Sequence, residues 1–333
     1  MIKNNKEIGE LIPTKEIVNL DKKNQKLISL LLQDATLSFS QLSKELQISK
    51  SNIARRMSIL KEKGIITGYH AFIDITKLGL HAGILSIQTS DYQNKDDFLK
   101  QLLKKEFIYG ILEMTGKYNL MMGLYFKDNT DKNKKIEQIF SSIEIKDFQF
   151  NRIKTFFPQL DYTKELFSKT KITNPKKIIE IKIDYTDLKL IDEISKDCRQ
   201  SKVNLAEKLK ISRETVNYKL KRLINNKIIT KFQANVNPFI LGFEAYFLTI
   251  KLSKPTQEEK LISFLNKSLR CNTILCSEGS WDIATFIHFK SHKEFREFEN
   301  KLLEQFRESI LEYSFEYGKK QYKLDWFNKE VMK

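Results

Sequence analysis

The sequence predicts an α+β fold written twice: two tandem copies of a winged-type helix-turn-helix domain followed by a ferredoxin-like βαββαβ domain. Three observations carry this expectation. The chain repeats itself at a fixed offset, the first part of each copy has helical periodicity with capping residues, and the second part alternates as strands do.

The repeat needs no gap. Adding 163 to any residue number from Leu20 to Lys127 gives its counterpart between Ile183 and Lys290. Leu42-Ser-Lys-Glu-Leu-Gln-Ile-Ser49 faces Leu205-Ala-Glu-Lys-Leu-Lys-Ile-Ser212, and Leu78-Gly79 faces Leu241-Gly242. Ile111-Leu-Glu-Met-Thr-Gly-Lys-Tyr-Asn119 faces Ile274-Leu-Cys-Ser-Glu-Gly-Ser-Trp-Asp282. A match of this length is not produced by composition.

The first module of each copy reads as three short helices. Asp21 caps a helix with apolar residues from Leu27 to Leu32, Ser38 caps one carrying Leu42 and Leu46, and Ser49 caps one carrying Ile53, Met57 and Leu60. Asp184, Ser201 and Ser212 take the same places in the second copy. A short turn between the second and third helices makes this a helix-turn-helix. The second module then alternates. Strands are expected over Ala82–Thr89, Phe107–Leu112, Leu120–Phe126 and Phe148–Phe157, with helices around Phe98–Leu103 and Ile136–Phe140. The second copy repeats the order from Phe243 to Tyr317. Expected boundaries are an N-terminal extension over 1–19 without fixed structure, helix-turn-helix domains over 20–78 and 183–241, and sheet domains over 79–163 and 242–327. A linker spans 164–182.

The charge supports a nucleic-acid partner once it is partitioned. The 333 residues carry 58 Lys+Arg against 42 Asp+Glu, a net charge of +16. Lys outnumbers Arg 49 to 9, a bias that AT-rich coding alone produces, so position says more than the total. Residues 20–80 hold 10 cations and 5 anions and residues 183–243 hold 12 and 7, so each module is +5. Four of the nine Arg lie in the third helices. Such a helix enters a major groove by its N-terminal half, where Arg pairs with guanine and Asn with adenine. Removing the apolar stripe leaves Lys50, Ser51, Asn52, Arg55, Arg56 and Ile59 outward in the first copy. In the second it leaves Arg213, Glu214, Thr215, Tyr218, Lys219 and Arg222.

Other classes find little support. No apolar run is long enough to span a bilayer, and Met1 to Leu20 lacks a signal-peptide pattern, so a cytoplasmic protein is expected. Three Cys without C-x-x-C spacing and four His make no metal site, and no cofactor motif is present. His288 and His292 read as ordinary surface residues, and no enzyme activity is expected.

The Leu20-Asp21 start, the Leu42–Ser49 run, Ile65-Ile66 and Leu78-Gly79 together resemble the Lrp/AsnC family of transcription regulators, over nearly the whole chain and twice. That resemblance implies double-stranded DNA as partner, sheet domains that pair back to back, and assembly into oligomers. It also implies an amino-acid effector near a Gly-x-x-Asp hairpin, here Gly116 to Asn119 and Gly279 to Asp282, of which only Asp282 keeps the acid. With two units fused, one chain is expected to form a pseudo-dimer, or each half to pair with another chain. Siroheme decarboxylases resemble the same fused architecture but place His and Arg around a tetrapyrrole, and Ile111–Phe126 has neither. A DNA-independent small-molecule sensor is the third reading.

Overall fold

The computed structural model describes residues 9–11, 17–89, 95–141, 143–158, 182–268, 271–325 and 327–328. Apart from a few residues, the extension expected over 1–19 and the linker expected over 164–182 lie outside these. In chain order the elements are β1 (Gly9–Glu10), α1 (Lys22–Gln33), α2 (Phe39–Leu46), α3 (Lys50–Glu62) and β2 (Ile66–Ile73). There follow β3 (His81–Gln88), α4 (Lys95–Lys104), β4 (Ile108–Met114), β5 (Leu120–Phe126), α5 (Asn129–Phe140) and β6 (Asp147–Pro158). The second copy gives α6 (Tyr185–Lys196), α7 (Lys202–Leu209), α8 (Arg213–Asn225), β7 (Ile229–Val236) and β8 (Glu244–Leu252). It ends with α9 (Glu258–Lys267), β9 (Cys271–Glu278), β10 (Ile283–Phe289), α10 (His292–Phe306) and β11 (Ile310–Leu324). Both copies thus have the expected order, and β11 runs well past Tyr317.

The chain does not divide copy by copy. One compact unit joins the sheet modules of both copies, and the other joins their helix-turn-helix modules.

In the sheet unit the antiparallel pairings run β11-β4-β5-β3-β6-β9-β10-β8, and β8 pairs again with β11. The eight strands therefore close on themselves and leave no open edge within the ring. Two ladders cross between the copies, β6 with β9 and β11 with β4. Length makes this work: β11 pairs β8 from Ile310 to Tyr317 and β4 from Gly318 to Leu324. The copies are joined through their strands and not only packed back to back. Outside the ring, α4 and α5 cover Leu85, Ile87, Met122 and Leu124, while α9 and α10 cover Leu248, Ile250, Ile274 and Ile287. The alternate residues, Tyr109, Met121, Phe247 and Leu275 among them, point to the interior and are buried.

The helical unit is held by two strands that the periodicity reading did not anticipate. β2 and β7 form an antiparallel pair across the copies, from Ile66↔Val236 to Ile73↔Ile229. Backbone bonds flank it in matched pairs 163 residues apart. Ala35 N–H donates to the Phe232 carbonyl (3.1 Å) and Cys198 N–H to that of Tyr69 (3.0 Å). Asp74 N–H donates to Ile228 (2.8 Å) and Asn237 N–H to Ile65 (2.9 Å). α6 packs on β2 and α1 on β7, so each copy's first helix covers the other's strand.

Gly123 marks how tightly the sheet interior is filled. A Cβ there would sit 2.3 Å from the buried Tyr109 ring, which itself stacks on Tyr125 at 4.5 Å between centroids. Gly123→Ala should cost about 1–3 kcal/mol by urea denaturation, as overpacking does.

Candidate nucleic-acid interface

Each candidate reading head is α3 or α8, presented by the helix before it. Ser38 caps α2 in a full capping box with Gln41, and Ser201 caps α7 by accepting from Asn204 N–H. The chain then turns through one left-handed residue, Gln47 or Lys210, both at φ 54°. Ile48 and Ile211 follow, and Ser49 and Ser212 cap the next helix by accepting from the N–H of Asn52 and Thr215. Ile53, Met57 and Leu60 bury one side of α3, and Val216 and Leu223 do so for α8.

What remains outward is narrower than the sequence suggested. Lys50, Ser51 and Arg55 on α3 are exposed, as are Arg213, Glu214 and Tyr218 on α8. Asn52 is half-buried and accepts from the Arg56 Nε at 3.0 Å, while the Thr215 hydroxyl lies 3.0 Å from that of Ser212. Ile59 is half-buried.

Arg56, Lys219 and Arg222, expected to face DNA, are engaged within the helical unit. The Arg56 guanidinium is half-buried and its Nη1 reaches both carboxylate oxygens of Asp21, at 3.0 and 2.8 Å, and the Asn24 side-chain oxygen at 2.8 Å. Lys219, its counterpart, is buried and bonds Asp184 at 2.6 Å and Asp187 at 3.1 Å, and Arg222 also pairs with Asp187. These three cations clamp the third helix to the start of the first. They are held by carboxylates. Burial would raise the Asp21 carboxyl, but the bonds from Arg56 and Asn24 N–H outweigh it and its pKa is lowered. Burial likewise pulls the Lys219 ammonium down, and the two aspartates overcome it, so its pKa is raised. A helical wheel identifies a cation on a given face but not the acid about 35 positions upstream that meets it. Lys221, exposed on α8, is a further outward cation.

The two Gly-x-x-Asp positions are occupied by turn chemistry. Gly116 and Gly279 have φ of +99° and +146°, and a Cβ on Gly279 would come within 2.2 Å of the Asn151 side-chain oxygen. The Asn119 side chain accepts from Thr89 N–H (3.1 Å) and donates to the Thr89 carbonyl (2.8 Å). Asp282 does the equivalent by accepting from Leu252 N–H at 2.8 Å, and its charge is met by Lys251 at 2.9 Å. Both side chains therefore pin the end of the neighbouring strand, and the acid expected to meet a ligand's ammonium already has its cation. Similarly His288, expected at the surface, lies on a strand and is only 3% exposed.

Two capped helix-turn-helix modules, each followed by a strand and locked into one unit, make this a paired winged helix-turn-helix protein. The family model described as "Winged helix-turn-helix DNA-binding" matches residues 20–67 and 183–230. The HTH-type transcriptional regulator Ptr1 of Methanocaldococcus jannaschii is 32% identical over 110 residues, covering 33% of this chain and 74% of that protein. The regulator LrpA of Pyrococcus horikoshii is 26% identical over 112 residues, covering 34% of this chain and 79% of it. The chain belongs to the Lrp/AsnC family of transcription regulators, two units of which are fused in it. The fold is similar to the siroheme decarboxylase NirDL, with a TM-score of 0.64 at 14% identity over 93% of this chain and 96% of that one. At that identity the likeness is one of fold.

The clamp generates a prediction that separates stability from recognition. Arg222→Ala leaves the fully buried Asp187 with Lys219 but one partner fewer and should cost about 1.5–3 kcal/mol by urea denaturation. Arg55→Ala, at an exposed position, should stay within about 0.5 kcal/mol of the parent. Equal stabilities would remove the clamp.

Proposed function

We propose that this protein is a sequence-specific transcription regulator that reads duplex DNA with two non-identical helices held in one unit. The observation that carries the reading is the pair of capped, solvent-facing helix starts joined by the β2–β7 ladder. Lys50, Ser51 and Arg55 supply phosphate and base donors from α3, and Arg213, Tyr218 and Lys221 from α8. Because these sets differ, the two half-sites differ, and the preferred operator is not a perfect palindrome. A DNA-dependent protein of this kind works in the cytoplasm. The contacts of Asn119 and Asp282 support a structural role for the two hairpins.

The likeness to NirDL raises a second reading, tetrapyrrole chemistry. The basic helix faces favour the first, since chemistry on a tetrapyrrole does not require them. Selection from random DNA should return an asymmetric site, and Arg55→Ala should relax discrimination at one position by about 1–3 kcal/mol. Lys50→Ala should weaken all sites alike and lower the salt slope by about one. Only palindromes, or no binding at low salt, would overturn the reading. Turnover of added siroheme would establish the second.

A further inference from the structure

The two sheet modules differ in chemistry at one matched corner. In the second copy it is filled with rings. Tyr246 lies 5.8 Å from Phe289, 5.3 Å from Phe295 and 5.4 Å from Tyr317, and Phe295 lies 4.8 Å from Phe315. The Tyr246 hydroxyl donates to Glu244 at 2.9 Å. Such a cluster is sufficient to hold a helix on a sheet.

The first copy keeps only two of these rings. The repeat offset makes Phe126 the counterpart of Phe289, and the ladders Leu85↔Phe150 and Leu248↔Phe315 match Phe150 with Phe315. The same correspondences place Gly83 for Tyr246, Lys132 for Phe295, Arg152 for Tyr317 and His81 for Glu244. One acid and three rings are thus replaced by a glycine, two permanent cations and a histidine. The cations gather round the remaining rings. Lys132 Nζ is 5.2 Å from the Phe150 centroid, His81 stands 5.7 Å from Phe126, and Phe126 and Phe150 are 5.8 Å apart. One Arg152 Nη lies 3.2 Å from both ring nitrogens of His81.

Among the described residues Arg152, Lys132 and His81 have no ion-paired carboxylate, and Glu278, opposite Arg152 in the β6–β9 ladder, does not reach it. The acids at the start of α5 are engaged elsewhere, Asp131 with Lys135 at 2.8 Å and Asp128 as the helix cap. Burial, and then the neighbouring Arg152, hold the His81 pKa below its usual value. A half-buried guanidinium without an ion-paired carboxylate costs free energy that an anion offsets.

We propose that His81, Lys132 and Arg152 form a binding site for a small oxyanion, the phosphate or carboxylate group of a small molecule, docked on the Arg152 guanidinium. Arg offers the two-pronged donor geometry that both groups match. His81 gains a proton as the anion arrives, and Lys132 closes over it from α5. The second copy, its corner packed with rings, has no such site.

The test is a titration of the full chain at constant ionic strength with inorganic phosphate and, separately, with acetate, following the His81 ring by NMR. Saturable shifts, with the titration of His81 moving to higher pH, are expected from at least one anion, and the response identifies which group is preferred. Arg152→Gln, and Arg152→Tyr, which restores the second copy's residue, should each weaken the response by roughly tenfold or more. Absence of saturation with both anions would overturn the site, as would an unchanged response in a folded Arg152 variant. Should both Arg152 variants fail to fold, Lys132→Gln at the helix surface takes their place, with the same outcomes.

Discussion

The molecule depends on reciprocal strand pairing between its two halves. β2 has no partner in its own copy and finds one in β7, while β4 and β6 extend their ladders only through β11 and β9. Each such backbone bond nets only about 0.5–1.5 kcal/mol, but leaving it unmade at a buried edge costs more. A single copy would present these edges to solvent, and the fusion supplies the partner at high effective concentration without a second chain. Arg199 reinforces the joint. It donates from the second copy to the carbonyls of Ala35 and, at 3.0 Å, Leu37, and its guanidinium lies 5.4 Å from the Tyr69 ring.

Once the halves are joined, each is free to diverge where the joint does not constrain it. The clamp from first helix to third survives in both copies but with different chemistry: Arg56 on Asp21 and Asn24 in one, Lys219 and Arg222 on Asp184 and Asp187 in the other. The exposed faces of α3 and α8 have moved further apart, as have the two ring corners of the sheet unit. Asymmetry within a pseudo-symmetric frame is what a fused regulator gains over a homodimer, whose two reading heads must be identical.

Much of this was legible in the sequence, and the failures share a cause. The repeat, the caps at Asp21, Ser38 and Ser49, and the βαββαβ order are local signals, and the structure contains them. β2 and β7 were missed because Ile66–Ile73 alternates weakly and its partner lies in the other copy. Periodicity assigns Arg56 and Arg222 to an outward face but cannot see Asp21 or Asp187 folded over it. The Gly-x-x-Asp hairpins show the same limit: Asp282 bonds the backbone of Leu252 and the side chain of Lys251, contacts that spacing does not reveal. Local chemistry was readable, and partners distant along the chain were not.

Whether one chain completes its own ladders is the claim on which the rest stands. Chemical denaturation at protein concentrations about a hundredfold apart tests it directly, because only an intermolecular joint gains stability by mass action. A midpoint independent of concentration is the expected result. A midpoint that rises with concentration, with sheet structure lost as the particle dissociates to single chains, would mean that the strands facing β2, β4 and β6 come from a second molecule, and would contradict the account.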